Sequence, residues 1–439
     1  MGREFLRTLY RTTVPGGVLL LASALAIHRS AFNNATPSFW LYYPYVVFGT
    51  ALVLSAIFNR SRLFFAVLVL ALSDRALTYW APALSSGRVR LALFDAVTLL
   101  LPLNLAVLSF VRDRGIISPK GKRRIAFIAA QLAIVVVVLF VHPVQILTEQ
   151  AMHNAIVPHQ YSDWSHVSEW NHMSQPALLV FAISGVAMLI YLLHRRQATE
   201  SGLFWTLIAV FIGLDNTTAA HLTSIYFAGG GLILSMAVLE TSYTMAYRDE
   251  LTQLPSRRAL NEKLMKLGDS YTLAMVDIDH FKSFNDTYGH ATGDQVLQMI
   301  ASRLASVSGG GKAFRYGGEE FCVVFPNKSL DEAYPSLESL RKAIEHSKFT
   351  VRGRDRRLAG AGRKKEKSRK RKKRVFVTVS IGAASGNGQP FKTDDVLRVA
   401  DKALYRAKSS GRNCTVATEL VFQPGTQGVT SGAREALSF

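Results

Sequence analysis

Two adjacent carboxylates beside a pair of glycines form the stretch of this chain best suited to chemistry. Glu319 and Glu320 directly follow Gly317 and Gly318, and an apolar run lies on each side. Two strand-like runs joined through Gly-Gly predict a β-hairpin with the carboxylates at its tip. Glycine lets a bulky anion or a base approach the backbone closely, and paired carboxylates suit a divalent metal that holds phosphates. The stretch therefore predicts a metal and phosphate site, with a plain turn as the alternative reading.

The surrounding elements must position this hairpin. Asp277 lies at the end of residues 271–278, which predict a buried strand, and a polar run follows. Apolar residues at helical spacing, a capping pair and Val-rich runs predict the later elements. These are a helix over 296–304, a helix near 329–344, a strand over 375–384, a helix over 393–411 and a strand over 413–418. Helices and strands alternate without regular βαβ repetition, which predicts an α+β fold with a mostly antiparallel central sheet flanked by helices.

The N-terminal half has a different composition. Of the 439 residues 49% are hydrophobic, and long apolar runs alternate with short polar connectors up to about residue 242. Since a bilayer core takes roughly 20 apolar residues per helix, these runs predict an all-α polytopic membrane domain over residues 1–241. The eight predicted helices are 14–27, 39–58, 63–79, 91–111, 125–141, 177–193, 203–221 and 224–239; seven spans is the alternative. Arginines and lysines before the first helix and after the second, fourth and sixth place those connectors, and the C-terminal half, in the cytoplasm.

Several polar groups of this half invite a sensor hypothesis. Ionisable residues inside apolar runs usually face a bundle interior or a cavity. In this chain these residues are Asp74, Arg75, Asp95, Asp215 and His221. Some of these five residues are expected to line a ligand cavity or to hold the bundle in one state. Because Asp74 and Arg75 are sequential, the pattern does not require them to pair with each other. The predicted outer loop over 143–176 holds four histidines, which leaves a metal or pH sensor open beside an ordinary polar loop.

Charge is concentrated in one segment. The net charge is +20, and residues 351–374 hold fourteen Lys or Arg and two acids, so +12 lies there. This composition predicts a disordered basic insertion. Contact with anionic lipid, nucleic-acid binding and an inert solvated loop all remain open; no specific nucleic-acid partner is expected. Residues 419–439 are rich in Gly, Thr and Ser and predict a disordered tail.

The C-terminal half resembles the GGDEF-domain diguanylate cyclases of bacteria, over roughly residues 249–416. The stretches that carry the resemblance are Asp249–Leu254, Asp277–Lys282, Asn285-Asp286, Gly289-His290, Gly293-Asp294, Gly317–Phe321, Ser380–Gly382, Ala400–Lys408 and Gly411–Asn413. The resemblance implies a palm-like cyclase domain over 250–418, with the insertion at 351–374, joined to the membrane domain by a helical linker over 242–249. The chain is then expected in the bacterial inner membrane, with its catalytic domain in the cytoplasm.

The resemblance also implies an activity. Two GTP molecules are expected to condense into cyclic di-GMP and two pyrophosphates in a homodimeric site, under regulation by the membrane domain. Asp277, the carbonyl of Ile278, Glu319 and Glu320 are expected to hold Mg²⁺ or Mn²⁺. Glu319 and Glu320 are also the catalytic candidates, and which of them takes the proton is left open.

The other implied roles concern the nucleotide. Asn285 and Asp294 are expected to read the guanine edge, since an amide and a carboxylate suit its donors and acceptors. His290, Gly317 and Gly318 are expected beside the nucleotide. Lys282, Lys408 and Arg412 are expected to contact phosphates, the last two from one helix face if the helix continues past Gly411.

One departure from the family concerns product inhibition. Many members carry Arg-x-x-Asp just before the hairpin, whereas this chain has Gly309-Gly310-Gly311-Lys312. Feedback inhibition through that site is therefore expected to be absent. The alternative to an active cyclase is a catalytically weak domain that binds nucleotide as a signalling module.

Overall fold

The computed structural model describes residues 16–22, 37–84, 86–141, 173–215, 220–351, 373–387, 393–420 and 431–432. The chain divides into two compact units, Met1–Tyr243 and Thr244–Phe439. The four histidines of the predicted outer loop lie outside the described residues. So do residues 352–372 of the basic insertion, and residues 421–430 and 433–439 of the predicted tail.

The first unit is helical. A helix lies at each of the eight predicted positions: α1 (16–22), α2 (Pro37–Ile57), α3 (Ser61–Arg75), α4 (Gly87–Phe110), α5 (Pro119–Phe140), α6 (Gln175–Arg195), α7 (Ala198–Asp215) and α8 (Ala220–Tyr247). Helix α3 continues through a π-helical segment, Ala76–Trp80, and one short turn, Ala81–Ala83. Among the described residues, six helices are long and apolar enough to cross a membrane, and α2 contributes a shorter apolar stretch, Tyr42–Ile57.

A buried ion pair ties two helices of this unit together. Arg62 Nη1 of α3 lies 2.9 Å from Glu200 Oε1 of α7, and Glu200 is only 1% exposed. The same guanidinium donates to the carbonyls of Leu108 and Ser109 at the end of α4. Removing one partner of such a pair leaves an uncompensated buried charge, which costs about 3–5 kcal/mol. The pair therefore fixes the ends of three helices relative to one another.

Asp74 and Arg75 form an ion pair that the sequence pattern left open. Their side chains do pair, because the Arg75 guanidinium folds back onto the Asp74 carboxylate and also reaches Ser224 Oγ of α8 at 3.3 Å. Asp74 is completely buried, so the nearest cation compensates its charge even from an adjacent position.

A cavity of about 430 Å³ lies between α3, α4 and α5. Asp74, Arg75, Asp95 and Asp215 do not line this cavity.

The second unit is built on a sheet. Its elements are α9 (Arg257–Leu264), β1 (Ser270–Ile278), α10 (Phe281–Tyr288), α11 (His290–Leu304), β2 (Lys312–Arg315), β3 (Glu320–Pro326), α12 (Leu330–Glu345), β4 (Phe349–Val351), β5 (Lys373–Val375), β6 (Val379–Asn387), α13 (Thr393–Ser409), β7 (Thr415–Leu420) and β8 (Ser431–Gly432). Six strands form one sheet in the order β2-β3-β1-β6-β7-β8, and β4 pairs with β5. The predicted α+β class is confirmed.

The sheet separates two apolar layers. Alternate residues of β1 point to opposite faces: Val276 packs with the cluster beneath α11 and α12, and Met275 packs with the cluster beneath α9 and α13. All pairs of the main sheet are antiparallel except β6 with β7, which is parallel. Helix α13 makes the crossover that a parallel pair requires.

Several predicted boundaries move. Helix α12 begins at Leu330, because Ser329 and Glu332 form the expected capping box, and Pro335 lies inside the helix. The predicted strand over 375–384 is split into β5 and β6. The basic insertion has paired ends, since Val351 lies opposite Lys373. Strand β7 extends past residue 418 to Leu420, where β8 joins it.

Helix α13 rests directly on the middle of the sheet because of one glycine. A Cβ placed on Gly382 of β6 would lie 2.0 Å from the backbone nitrogen of Leu404 and 2.3 Å from the carbonyl oxygen of Ala400. Both atoms belong to the backbone of α13, so a side-chain rotation cannot relieve the clash. The glycine of the Ser380–Gly382 stretch therefore sets the distance between α13 and the sheet.

We predict that Gly382→Ala destabilises the second unit by about 3 kcal/mol or more, since overpacking against backbone forces whole elements apart. The chain has two cysteines, Cys322 and Cys414, and Cys322 is completely buried. Thiol labelling of Cys322 during heating, in a Cys414→Ser background of the full chain, therefore reports opening of this unit alone. Gly268→Ala is the matched control, because its nearest contact would lie at an ordinary 3.9 Å. Equal midpoints for both variants would contradict the prediction.

Candidate active site

Asp277 lies at the end of β1, where the sheet brings other candidates beside it. The register places it opposite Glu320 of β3 on one side and Ser380 of β6 on the other. It is 3% exposed. Burial raises the pKa of Asp277 and the nearby Asp279 raises it further, whereas Lys408 and Arg412 lower it. The Asp277 carboxylate is thus buried beside one like charge, Asp279, and two opposite charges, Lys408 and Arg412.

Lys408 is the cation closest to that carboxylate. Its Nζ lies 2.9 Å from Asp277 Oδ2, and it comes from the last turn of α13, which ends at Ser409. The alternative in which the helix carries both Lys408 and Arg412 on one face is not realised. Gly411 and Arg412 instead have φ angles of +106° and +68°, so Arg412 projects from a left-handed turn beyond the helix.

The hairpin is confirmed, and its tip carries the two glutamates. The amides of Tyr316 and Gly317 both donate to the carbonyl of Glu320, at 3.0 and 3.2 Å. Burial raises the pKa of Glu319, and the neighbouring carboxylates of Asp277 and Glu320 raise it further, while Lys408 lowers it. Three carboxylates therefore repel one another around one ammonium group.

Sequence reasoning missed Arg315, which holds the tip. Its Nη1 lies 2.6 Å from Asp249 Oδ1, and its Nη2 donates to the carbonyl of Gly318 at 2.8 Å. Burial alone would raise the pKa of Asp249, but hydrogen bonds from Thr252 and Arg315 lower it. Two features of the sequence could have indicated this contact. Arg315 lies directly before the hairpin tip, and Asp249 is the first residue of a stretch that carries the family resemblance. The planar guanidinium bonds both partners at once in a fixed geometry, which the flexible ammonium of a lysine lacks.

A second group of candidates surrounds Gly293. Asn285 of α10 lies so close that a Cβ on Gly293 would be 1.8 Å from Asn285 Oδ1. That oxygen is buried and has no hydrogen-bond partner among the described residues. Asp294 follows Gly293 directly and is exposed on α11. The glycine therefore allows an unsatisfied amide and a free carboxylate to lie beside one another, and a buried unpaired acceptor favours a ligand that donates to it.

The remaining candidates are solvated. Lys282 begins the first turn of α10, His290 begins α11, and Arg412 lies beyond α13; all three are exposed. Within the described ranges, their side chains make no hydrogen bond or ion pair. They are free to meet an anionic ligand.

The donor set fits a hard divalent cation by its chemistry. The carboxylates of Asp277, Glu319 and Glu320 and the carbonyl at the end of β1 are oxygen ligands of the kind Mg²⁺ prefers. A bound cation would neutralise part of the negative charge of these carboxylates. Among the described residues, no three His, Cys, Asp or Glu side chains are gathered closely enough to hold a metal. Here Lys408 supplies the positive charge beside Asp277.

We predict that Arg315→Ala frees the hairpin tip, so that the amides of residues 316–318 exchange hydrogen on the order of tenfold faster or more. The reason is that the tip loses the bonds to the Gly318 carbonyl and to Asp249. Hydrogen–deuterium exchange of the full chain measures this effect. Arg398→Ala is the control, because Arg398 pairs only with Asp395 on the surface of α13. Unchanged exchange at the tip would show that Arg315 does not hold it.

The raised pKa of Glu319 predicts a pH-dependent stability. A carboxyl whose pKa is raised by folding stabilises the folded state when protonated, and that contribution is lost as the pH rises through the folded-state pKa. Glu319→Gln should therefore match the wild type at low pH and be more stable at a pH of about 7.5. Thermal labelling of Cys322 across pH tests this. Glu262→Gln, which removes a carboxylate whose pKa Lys266 lowers, should not stabilise. A Glu319→Gln variant less stable at neutral pH would contradict the assignment.

Comparison with known proteins agrees with this geometry. The sequence profile described as "Diguanylate cyclase, GGDEF domain" matches residues 246–361 and 359–414. The chain is 37% identical over 187 residues to the response regulator PleD of Caulobacter vibrioides, covering 40% of this chain and 37% of that protein. It is 47% identical over 110 residues to the diguanylate cyclase VdcA of Vibrio cholerae, covering 24% of this chain and 32% of that protein.

The matched profile lies within the second unit, and the chain spans about a third of the length of these curated relatives. The crystal structure of the coiled coil and GGDEF domain of DgcB from Caulobacter crescentus, in complex with c-di-GMP, is 33% identical; the match covers 41% of this chain and 89% of that one, with a TM-score of 0.34. Through the profile match, the homologous sequences and the hairpin at residues 317–321, the chain carries a GGDEF domain and belongs by that domain to the bacterial diguanylate cyclase family.

Proposed function

We propose that this chain is a membrane-bound diguanylate cyclase that condenses two GTP molecules into cyclic di-GMP and two pyrophosphates. The observation that carries the proposal is the position of Asp277 at the end of β1, opposite Glu320 in the strand register and 2.9 Å from Lys408 Nζ, with Glu319 next to Glu320 at the hairpin tip. Phosphoryl chemistry of this kind needs charge stabilisation and positioning more than covalent catalysis, and this site offers both.

Each of two subunits would bind one GTP, and the 3′-hydroxyl of one nucleotide would attack the α-phosphate of the other, with pyrophosphate leaving. Asp277, the carbonyl of Ile278, Glu319 and Glu320 would hold Mg²⁺ or Mn²⁺, which when bound neutralises phosphate charge and favours ionisation of the hydroxyl. One of the two glutamates accepts the proton.

Asn285 and Asp294, which lie beside Gly293, would recognise the base. Guanine presents donors at N1 and N2 and acceptors at O6 and N7. The Asp294 carboxylate is suited to the two donors, and the unpartnered Asn285 Oδ1 would accept from the same edge. Adenine has no N1 hydrogen, so this pair favours GTP over ATP. Lys282, Lys408 and Arg412 would bind the phosphates, and His290, Gly317 and Gly318 would lie beside the nucleotide.

The first unit is proposed as the anchor and regulator. Six long apolar helices and the basic connectors favour the bacterial inner membrane, with the cyclase unit in the cytoplasm. The basic insertion would contact anionic lipid from there. Gly309–Gly311 lie in the turn before β2, with positive φ at Gly309 and Gly310, and Lys312 is the first residue of β2. Since that turn lacks the Arg and Asp of a product-binding site, product inhibition through it should be absent.

The test is direct. Full-length protein in lipid nanodiscs, given GTP and Mg²⁺, is expected to form cyclic di-GMP detectable by mass spectrometry, and not the corresponding product from ATP. Glu320→Gln should lower the rate by a factor of about 10² or more, since it removes charge at the reacting centre. Glu250→Gln, an exposed acid of the same unit, is the matched control and should keep the wild-type rate.

The rival is a nucleotide-binding module with weak catalysis. GTP binding that Asn285→Ala weakens, without product from the wild type, would support that rival. Product formation that is unaffected by Glu320→Gln would reject the proposed site.

A further inference from the structure

Asp279 is a buried carboxylate close to the site that the proposed chemistry does not use. It follows β1 and is 7% exposed. Its Oδ1 accepts from Ser380 Oγ at 2.7 Å, and its Oδ2 accepts from Thr378 Oγ1 at 2.7 Å and from the backbone nitrogen of Asn413 at 3.1 Å. Within the described part of the chain it has no cationic partner. Three neutral donors therefore compensate a full buried charge.

The bond to Asn413 holds an unfavourable turn. Three successive residues, Gly411, Arg412 and Asn413, have φ angles of +106°, +68° and +47°. For a residue with a side chain this conformation costs roughly 1–2 kcal/mol, so the turn needs contacts that outweigh the cost. The amide of Arg412 donates to the carbonyl of Ala407 at 3.1 Å, and the amide of Asn413 donates to Asp279.

The same turn is fixed from its other side by α12. Asn413 Nδ2 donates to Glu345 Oε1 at 2.8 Å, and Arg341 Nη1 donates to Asn413 Oδ1 at 2.7 Å. Asn413 is thus held through its backbone by Asp279 and through its side chain by α12. Arg412 precedes this fixed residue and has an exposed side chain. Its backbone is immobilised while its guanidinium stays free.

Electrostatics shows that the placement of Asp279 has a cost. Its charge raises the pKa of Asp277, whereas Arg412 lowers it. A further negative charge works against binding an anionic nucleotide at this site. A carboxylate provides two accepting oxygens for the three donors, and its negative charge strengthens each of these hydrogen bonds, including the bond from the Asn413 amide.

We propose that Asp279 is a positioning residue, which holds the left-handed turn at Gly411–Asn413 so that the Arg412 guanidinium stands beside Asp277 and meets the nucleotide phosphates. This inference rests on the proposed function and adds a specific route: Asp279 acts through Arg412. The route makes Asp279 and Arg412 energetically coupled, although no hydrogen bond joins their side chains.

A double-mutant cycle on full-length protein in nanodiscs measures that coupling. Asp279→Asn is expected to raise KM for GTP by about tenfold, because the neutral amide has one accepting oxygen for three donors and loses the charge that strengthens the bond from the Asn413 amide, so that Arg412 loses its fixed position. In an Arg412→Ala background the same change should alter KM by less than about twofold. Thr378→Val is the matched control: it removes one donor from the same carboxylate but leaves the bond to Asn413, and should change KM by less than about threefold.

Other outcomes are equally clear. If the effects of Asp279→Asn and Arg412→Ala multiply, Asp279 does not act through Arg412 and the proposal is overturned. The same follows if Thr378→Val matches Asp279→Asn. Thermal labelling of Cys322 identifies a variant that fails to fold. In that event Asn413→Gly replaces it, since glycine accepts the positive φ while losing the anchor to α12, and it should show the same dependence on Arg412.

Failure of the proposed function gives a different result. If the wild type makes no cyclic di-GMP, the cycle is measured as the affinity for a fluorescent GTP analogue. Coupling in that assay supports the positioning role in a binding module, and additive effects reject it.

Discussion

The ion pair between Asp277 and Lys408 is the interaction on which the rest of the second unit depends. A carboxylate that is 3% exposed is costly to bury alone, and its charge is retained only because an ammonium lies 2.9 Å away. That cation comes from the far end of α13, so the helix must pack on the sheet at a fixed height. Gly382 permits this height, because any side chain there would meet the backbone of α13.

Two further charged residues hold the irregular segments around this pair. Arg315 ties the tip of the hairpin to Asp249, and Asp279 ties the turn beyond α13 to the end of β1. Arg315 donates to the carbonyls of Gly317 and Gly318, and Asp279 accepts from the Asn413 amide and from two hydroxyl groups. These contacts fix the positions of loop residues as firmly as those of residues in helices or strands. Stabilisation of charge in phosphoryl chemistry requires groups that are fixed in this way.

The first unit also contains buried ion pairs, which here connect helices. Its helices bury apolar faces, but Arg62 with Glu200 and Arg75 with Asp74 place full charges inside the bundle. Each pair joins or abuts more than one helix, so a change in packing would have to separate opposite charges in a medium of low dielectric constant. Such pairs favour a small number of discrete helix arrangements over a continuous range.

The sequence by itself determined the division into a helical apolar half and an α+β half, the position of each helix in the first half, and the hairpin with its two glutamates. Those features depend on local composition and on periods of 2 and 3.6 residues, which a single chain displays directly. It also selected Asp277, Asn285 and Lys408 as candidate site residues, because they lie in the motifs that carry the resemblance.

Only the tertiary structure decided which of these residues meet. Residues 131 apart in sequence, Asp277 and Lys408, form one ion pair, and the Arg315 and Asp279 contacts span 66 and 134 residues. The parallel pairing of β7 with β6 and the folding of Arg75 onto Asp74 were likewise not visible in the sequence. Strand order and the compensation of buried charge are settled by packing between distant segments, and no local pattern records them.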